Sequence, residues 1–146
     1  MDNHREGDSV KVSQIASALT ASLAAQLTIN VVLGLPEIGR PDVTLPIGAL
    51  QFRESQYGEA NARTLGNPAP KGTTERFALY VIAKHESQLL GLVDALKLVK
   101  AHMSSLAIGD EVLTLRWQAT RRSELFAGDA PLDFVIEVEV TTTIYS

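Results

Sequence analysis

Apolar and polar positions divide this chain into helical and extended segments. Between Ser13 and Leu27, isoleucine and leucine recur every four residues among alanines, which predicts a helix with Ser13 as its N-cap. A broader stripe of leucine, valine and methionine predicts a second helix from Ser87 to Leu106, capped by Ser87. The residue pair Gly109-Asp110 supplies a turn after it.

Extended segments lie around these helices. The predicted strands are, in chain order, a β-branched cluster at 29–32, Asp42–Phe52, Phe77–Ala83, Val112–Ala119 and Leu132–Ile144. Phe77–Ala83 is apolar on both faces, which is typical of a central strand, whereas Pro46 indicates an edge position or a bulge. The turn residues Gly128, Asp129 and Pro131 predict that the last two strands form an antiparallel hairpin. The pattern predicts an α+β fold: a mostly antiparallel sheet of about four to five strands with two main helices packed on it.

A long polar arm separates the two halves of this pattern, at about residues 53–76. Tyr57 and Leu65 are its only large apolar residues, and it is rich in Gly, Pro, Asn and Thr. Connections of this length are usually functional or disordered. Its charges alternate in sign, which suits contacts with other proteins, through Arg53, Glu54, Glu59, Arg63, Lys71, Glu75 and Arg76. We therefore expect a flexible tail at residues 1–12 and a single domain at 13–146 that carries this arm.

Two further segments are candidate contact surfaces. The tip before the last strand contains Arg121 and Arg122, followed by Leu125 and Phe126, which are unexpectedly apolar for an exposed turn unless they fold back or meet a neighbour. The C-terminal run of Thr, Ile and Tyr at 141–146 could add a strand to another chain at the sheet edge.

Composition narrows the function classes. The chain has 146 residues, 45% hydrophobic and 21% charged, a net charge of −4 and no cysteine. These values predict one globular domain, argue against a general nucleic-acid binder, and exclude disulfides and thiolate metal sites. Residues 12–36 carry no charge, but Ser, Thr, Gln and Asn recur through them, so no membrane span is predicted. The preceding segment contains Asp2, Glu6 and Asp8, whereas a signal peptide starts with basic residues, so no signal peptide is predicted either.

No catalytic constellation emerges from the sequence. His85 and Glu86 are adjacent at a predicted strand–helix junction, but neighbours in a strand point to opposite faces, so we interpret His85 as a surface or helix-start residue. Glu137 and Glu139 share one strand face, which we interpret as solvated. The three histidines have no metal-ligand spacing, and glycine-rich phosphate loops and serine-hydrolase motifs are absent. We expect no enzyme, no cofactor and no metal.

The whole-chain pattern resembles the tail terminator, or tail completion, proteins of long-tailed bacteriophages. The resemblance rests on the helix Ser13–Leu27, the segment PDVTLPIGALQF, the polar arm after it, the strand–helix unit Arg76–Met103 and the two closing strands. It covers most of the chain and contains no short diagnostic motif.

The resemblance implies an α+β subunit of a homohexameric ring on the head-proximal end of a virion tail, assembled in the host cytoplasm. Such a ring stops polymerisation of the tail tube protein and offers a docking surface to neck and connector proteins, while DNA passes only as cargo. The arm and the tip would then supply the contacts with ring neighbours and tube. Three alternatives stay open: another neck component, a small ligand-binding regulatory domain, and an enzyme using His85, Glu86 or Asp94.

Overall fold

Two helices and nine strands follow one another in a computed structural model that describes residues 10–36, 43–57, 72–127 and 130–145. The fold is α+β, as predicted, with more strands than expected. The elements are α1 (Val12–Leu27), β1 (Asn30–Leu33), β2 (Ile47–Tyr57), β3 (Gly72–Ile82), α2 (Glu86–His102), β4 (Ser105–Ile108), β5 (Glu111–Trp117), β6 (Arg121–Arg122), β7 (Leu125–Ala127), β8 (Ala130–Leu132) and β9 (Val135–Tyr145).

A single large sheet organises the described residues. Its strand order is β1-β2-β3-β9-β5-β4, and β6 pairs with β9 beyond the end of β5. Only β1 and β2 are parallel; the other neighbours are antiparallel. β7 and β8 form a separate two-stranded hairpin. The β1 and β4 strands are the two edges of the sheet.

The main core lies between the helices and one face of the sheet. Every second residue of the central strands points into it, including the fully buried Phe77, Leu79 and Val81 of β3. The two predicted helical stripes supply the other half: Ile15, Leu19, Leu23 and Leu27 from α1, and Leu89, Leu92, Leu96 and Val99 from α2. Burial of these side chains is the main favourable contribution to folding.

A smaller apolar cluster occupies part of the opposite face, which we call the far face. It comprises Ile47, Ala49, Ala78, Tyr80, Ile82 and Val135. Val43 and Leu45, before β2, and Leu125 and Leu132, from the β7–β8 hairpin, pack over it. The prediction that Phe77–Ala83 is covered on both faces is therefore confirmed, since alternate residues of β3 enter the two clusters.

The start of each helix differs from the prediction. α1 begins one residue early, and its N-cap is Lys11, whose backbone N–H donates to Gln14 Oε1 at 2.7 Å, so Ser13 lies inside the first turn. α2 is capped by His85, whose Nδ1 accepts from the backbone N–H of Gln88 at 3.2 Å, and not by Ser87. At its other end, α1 stops at Thr28, which adopts a left-handed φ of 57°.

α2 ends at His102, four residues before the predicted end at Leu106. The following residues form the edge strand β4, which the sequence interpretation missed. β4 and β5 make a two-residue hairpin in which Gly109 has a φ of 61°, the turn predicted at Gly109-Asp110. Leu106 still faces the main core, because Leu106 pairs with Leu113 on that face of the sheet. Because Leu106 also continues the apolar stripe of α2, the sequence pattern was compatible with either a longer helix or a strand.

The strands around the arm also have different bounds. β2 starts at Ile47 instead of Asp42, directly after Pro46, which has no N–H to donate to a ladder. In contrast, β2 and β3 continue into the predicted arm, to Tyr57 and from Gly72, and pair in register as far as Tyr57 with Thr73. Pairing of Gly72–Arg76 with β9 supplies the backbone hydrogen bonds that a free loop would lack.

The last two predicted strands are antiparallel but are not joined by one turn. β5 pairs with β9 between Thr114–Trp117 and Val140–Thr143, while the chain between them forms β6 and the β7–β8 hairpin. The inward positions Ile136, Val138 and Val140 are buried in the main core, as predicted. Among the predicted turn residues, Gly128 and Asp129 lie outside the described residues, as does the tail at 1–9.

Candidate assembly surfaces

Charged side chains on three neighbouring strands form ion pairs at the base of the arm. On the far face, Arg76 of β3 lies between Glu54 of β2 and Glu139 of β9. Its Nη1 is 2.9 Å from Glu54 Oε1 and its Nη2 is 3.0 Å from Glu139 Oε1. The hydrogen bond to Glu139, and then the charges of both carboxylates, raise the pKa of Arg76. Two predicted contact residues, Glu54 and Arg76, are thus brought together within the subunit.

A buried carboxylate lies next to Arg76 in the chain, on the helix-covered face of the sheet. Glu75 is buried between β2 and β9, and the Ser55 hydroxyl donates to its Oε1. The arm sequence gave no sign of this burial, because a Glu among Gly, Thr and Arg is usually exposed. The position follows only from the β-strand register, in which Glu75 pairs with Ser55 and Thr142.

A β-bulge at Arg53 changes the direction of β2 where the arm begins. Phe52 pairs with Phe77 and Glu54 with Arg76, so Arg53 is the extra residue. Arg53 is exposed, with Nη1 3.4 Å from Gln51 Oε1. The Phe52 ring packs edge-on against Phe77, with centroids 5.8 Å apart, yet Phe52 stays largely exposed. This bulge presents a cation and an aromatic ring on opposite faces of β2.

The rest of the arm can be placed only in part. Tyr57 is the last residue of β2. Glu59, Arg63, Leu65 and Lys71 lie outside the described residues.

Arginines at the predicted tip are held against the subunit itself. Arg121 on β6 donates to Glu137 Oε2 from Nη2 at 2.8 Å and from Nε at 3.2 Å. Arg122 binds Glu86 at 2.7 Å and the backbone oxygen of Asp133 at 2.8 Å, which joins the tip to the start of α2. These arginines therefore fix the position of the tip.

The environment of Glu137 keeps it ionised. Burial would raise the pKa of Glu137, but hydrogen bonds from Ser123 and Arg121, together with the charge of Arg121, outweigh it and lower that pKa. Glu137 and Glu139, which share the far face as predicted, are each paired with a different arginine. They do not act as a carboxylate pair.

The apolar tip folds back in part. Leu125 is half-buried and packs on the far-face cluster. Phe126 lies on β7, and its side chain is outside the described residues. Packing of Leu125 within the subunit thus explains why this position of the tip is apolar.

Exposed apolar side chains mark other surfaces, which the sequence analysis did not single out. Leu33 and Leu35 follow the β1 edge, Leu90 and Leu98 lie on the outer side of α2, and Val112 lies on the far face of β5. A signal was present for α2, because Leu90 and Leu98 fall outside its predicted core stripe.

An apolar groove of about 570 Å³ lies beside the β1 edge. Val32, Leu33 and Pro36 form one side, and Val43, Leu45 and Pro46 form the other. No ionisable side chain is among its described lining residues, so they offer no general acid or base.

The titratable side chains that could take part in catalysis or metal binding are dispersed over the described ranges. His85 caps α2, and Ser87 Oγ lies 2.9 Å from its Nδ1. Within the described part of the chain, no three His, Asp or Glu side chains are grouped so that they could hold a metal ion. None of the described helices combines the length and apolarity needed to cross a bilayer.

Comparisons with known proteins give a similarity in structure and no match in sequence. No family model matches the sequence. No curated protein matches it. Among solved structures, the chain is similar to a chain of "Virion of native gene transfer agent (GTA) particle", with 16% sequence identity and a TM-score of 0.46. The similarity covers 91% of this chain and 88% of that chain. At this TM-score and identity, it does not establish a shared function.

Proposed function

We propose that this chain is a structural subunit of a phage-like virion, of the tail terminator type. In this proposal, copies of the chain form a ring, with six as the expected number, on the head-proximal end of the tail tube. The described fold is compatible with the resemblance on which this rests. It has the N-terminal helix, the strand that runs into the polar arm, the strand–helix unit and the closing antiparallel strands in that order.

The observation that carries the proposal is the distribution of exposed apolar side chains. Single exposed leucines are ordinary on monomeric proteins. Here they occur in pairs on separate surfaces: Leu33 with Leu35 beside the β1 edge, and Leu90 with Leu98 on α2. Subunits of permanent assemblies bury extensive and rather apolar interfaces, often of a few thousand Å² in total. Several separate apolar surfaces suit a subunit that contacts more than one neighbour.

The mechanism is physical and involves no bond making. Unlike surfaces of identical copies contact one another, and such contacts close a ring when the rotation between neighbours fits. One side of the ring would match the last ring of the tube, and the other would offer a different surface to neck and connector proteins. Tube growth then stops, because the added ring does not repeat the surface that the tube protein needs.

The described parts of the arm and tip act in this proposal through exposed groups that are not already paired within the subunit. Arg76, Arg121 and Arg122 are already paired inside the subunit, so they would position these segments. Arg53 is exposed and has no carboxylate partner among the described ion pairs, so it is the arm residue that we assign to a neighbour. The negative net charge would avoid retention of the DNA that passes through the ring.

A tube-capping experiment tests the proposal. The purified chain is added to polymerising tail tube protein from the same virion, and tube lengths are measured by negative-stain electron microscopy. Rings at one tube end, with lengths that shorten as the chain is added, are expected. Unchanged tube lengths would contradict the terminator role, and location elsewhere in the neck by cryo-electron microscopy would assign the chain to another neck component. Turnover of a substrate by the isolated subunit would contradict the non-catalytic mechanism.

A second candidate function is a small ligand-binding domain, favoured by the groove beside β1. Its volume of about 570 Å³ is within the usual range for small-molecule sites, and its described walls combine apolar side chains with the polar residues Asn30 and Thr44. A ligand that binds the native state raises the unfolding temperature in a saturable way. A thermal-shift screen would support this alternative if one metabolite stabilises the protein and Val32→Arg abolishes that effect. Lack of stabilisation by any compound would favour the assembly role.

A further inference from the structure

The outer side of α2 carries a carboxylate between two exposed leucines. The core side of this helix is formed by Leu89, Leu92, Leu96 and Val99. On the other side, Leu90 is 54% exposed and Leu98 is 63% exposed. Asp94 lies four residues from each, so the three side chains are neighbours along one side of the helix. Asp94 is exposed and takes part in none of the ion pairs among the described residues.

The far face of β5 has the complementary composition. Leu113 and Leu115 point into the main core, so Val112, Thr114 and Arg116 point to the far face. Val112 is 65% exposed, and Arg116 is exposed. In the described ranges, no carboxylate lies within ion-pair distance of Arg116.

The neighbouring strand extends this surface. Thr141 and Thr143 of β9 pair with Arg116 and Thr114 and face the same way. Val112 is exposed on the same face as these threonines. The far-face cluster lies on β2, β3 and the start of β9 and leaves β5 uncovered within the described residues. Arg76, which pairs with Thr141 from the other side, is already bound to Glu54 and Glu139. Arg116 is thus a cation without a described ion pair beside a valine and threonines, and it matches a carboxylate between leucines.

These two surfaces cannot meet within one subunit, because the sheet lies between them. α2 packs on the helix-covered face, whereas Val112 and Arg116 lie on the far face. A contact between them must join two copies. Because the two surfaces lie on opposite sides of the subunit, one pair of copies does not make the contact twice, so the contact is head-to-tail. Head-to-tail contacts between identical subunits continue from copy to copy, and they close into a ring when the rotation between neighbours fits.

We propose that the outer side of α2 in one copy packs on the far face of β5 in the next copy, with Asp94 paired to Arg116 of that next copy. This inference rests on the proposed function, because it names the surfaces by which the ring forms. Leu90 and Leu98 supply the apolar contact with Val112 and the threonines. The opposite charges fix the register and reject a contact between two α2 helices, which would oppose two carboxylates.

A charge exchange tests this contact. Asp94→Arg and Arg116→Asp are made singly and together, and the assembly of each variant is measured by sedimentation velocity over a dilution series. Each single variant opposes like charges across the contact, so we expect the apparent dissociation constant to rise roughly tenfold or more. The double variant restores opposite charges and should return to within about threefold of the unaltered protein. Asp133→Arg is the control, since it makes the same charge change at an exposed residue that belongs to neither surface.

The outcomes separate the contact from the function. Assembly of the unaltered protein, weakening by both single variants and rescue by the double variant support the contact. Assembly without rescue, or weakening as strong in Asp133→Arg, overturns the contact and leaves the proposed function intact. A protein that stays monomeric at every dilution, with and without tail tubes, refutes the proposed function itself. Circular dichroism of each variant verifies folding, and Leu98→Ala, which changes no charge, provides a second test: it should weaken assembly and leave the fold unchanged.

Discussion

Two leucines of α2, two residues apart, should respond very differently to the same substitution. Leu96 is fully buried in the main core, whereas Leu98 is 63% exposed. Leu96→Ala removes buried methyl groups and leaves a cavity, which should lower the free energy of unfolding by about 2–5 kcal/mol. Leu98→Ala has the same small effect on helix propensity and removes no core contact, so a change within about 0.5 kcal/mol is expected.

Thermal and urea unfolding measure this difference. Unfolding entropy scales with chain length, and for 146 residues a loss of 1 kcal/mol corresponds to about 3 °C. Leu96→Ala should therefore unfold about 6–15 °C below the unaltered protein. The single tryptophan, Trp117, reports the transition, because its indole N–H donates to the Met103 carbonyl at 2.8 Å next to the core.

Protein concentration must be varied in this comparison, since assembly raises the apparent stability of a subunit. At high dilution, Leu98→Ala should unfold like the unaltered protein. Equal destabilisation by the two substitutions at every concentration would refute the orientation of α2, and with it the exposed surface that carries Leu90 and Leu98.

Three other substitutions test separate features of the subunit. Glu137→Gln should lower the free energy of unfolding at pH 7 by on the order of 1 kcal/mol. Because the folded-state pKa of Glu137 is lowered from 4.5, the stabilisation by its carboxylate is full at neutral pH and is lost as the pH falls through the folded pKa. Urea titrations should therefore show a lower free energy of unfolding for Glu137→Gln at pH 7 and almost no difference well below pH 4.5. An equal difference at both pH values would contradict a stabilising role of the ionised carboxylate. Ser55→Ala removes the donor to buried Glu75 and should cost about 1–3 kcal/mol in the same assay, and a neutral effect would contradict the burial. Thr28→Gly removes a β-branched residue from a left-handed conformation, so it should raise the free energy of unfolding by about 1 kcal/mol and raise the melting temperature with it. A lower melting temperature would contradict the left-handed conformation of Thr28.

Elements with long and regular periodicity could be predicted from the sequence. The four-residue repeat of α1 and the two-sided apolar run of β3 each correspond to a described element. β4 was missed because it has only four residues, and its Leu106 continues the stripe of α2. The extension of β2 and β3 into the arm could not be predicted either. It depends on pairing with β9, about 70 residues away along the chain, and not on the local preference of Gly, Thr and Arg.

Candidate surfaces were harder to predict than elements, because charge pairing depends on register. Arg76 and Arg121 appeared to be free contact residues in the sequence. Glu139 and Glu137 on β9 meet them once the strands are aligned. The exposed leucines of α2 could have been predicted from the sequence, since they lie off the core stripe of the helix. The exposure of Val112 could be predicted only by knowing which face of the sheet the helices cover.

Native mass spectrometry of the purified chain tests most directly whether this protein works by fitting against copies of itself. The account predicts a single closed species at a fixed multiple of the 15.8 kDa subunit, with six as the expected number. A subunit that remains monomeric at every concentration, with and without tail tubes, would contradict it.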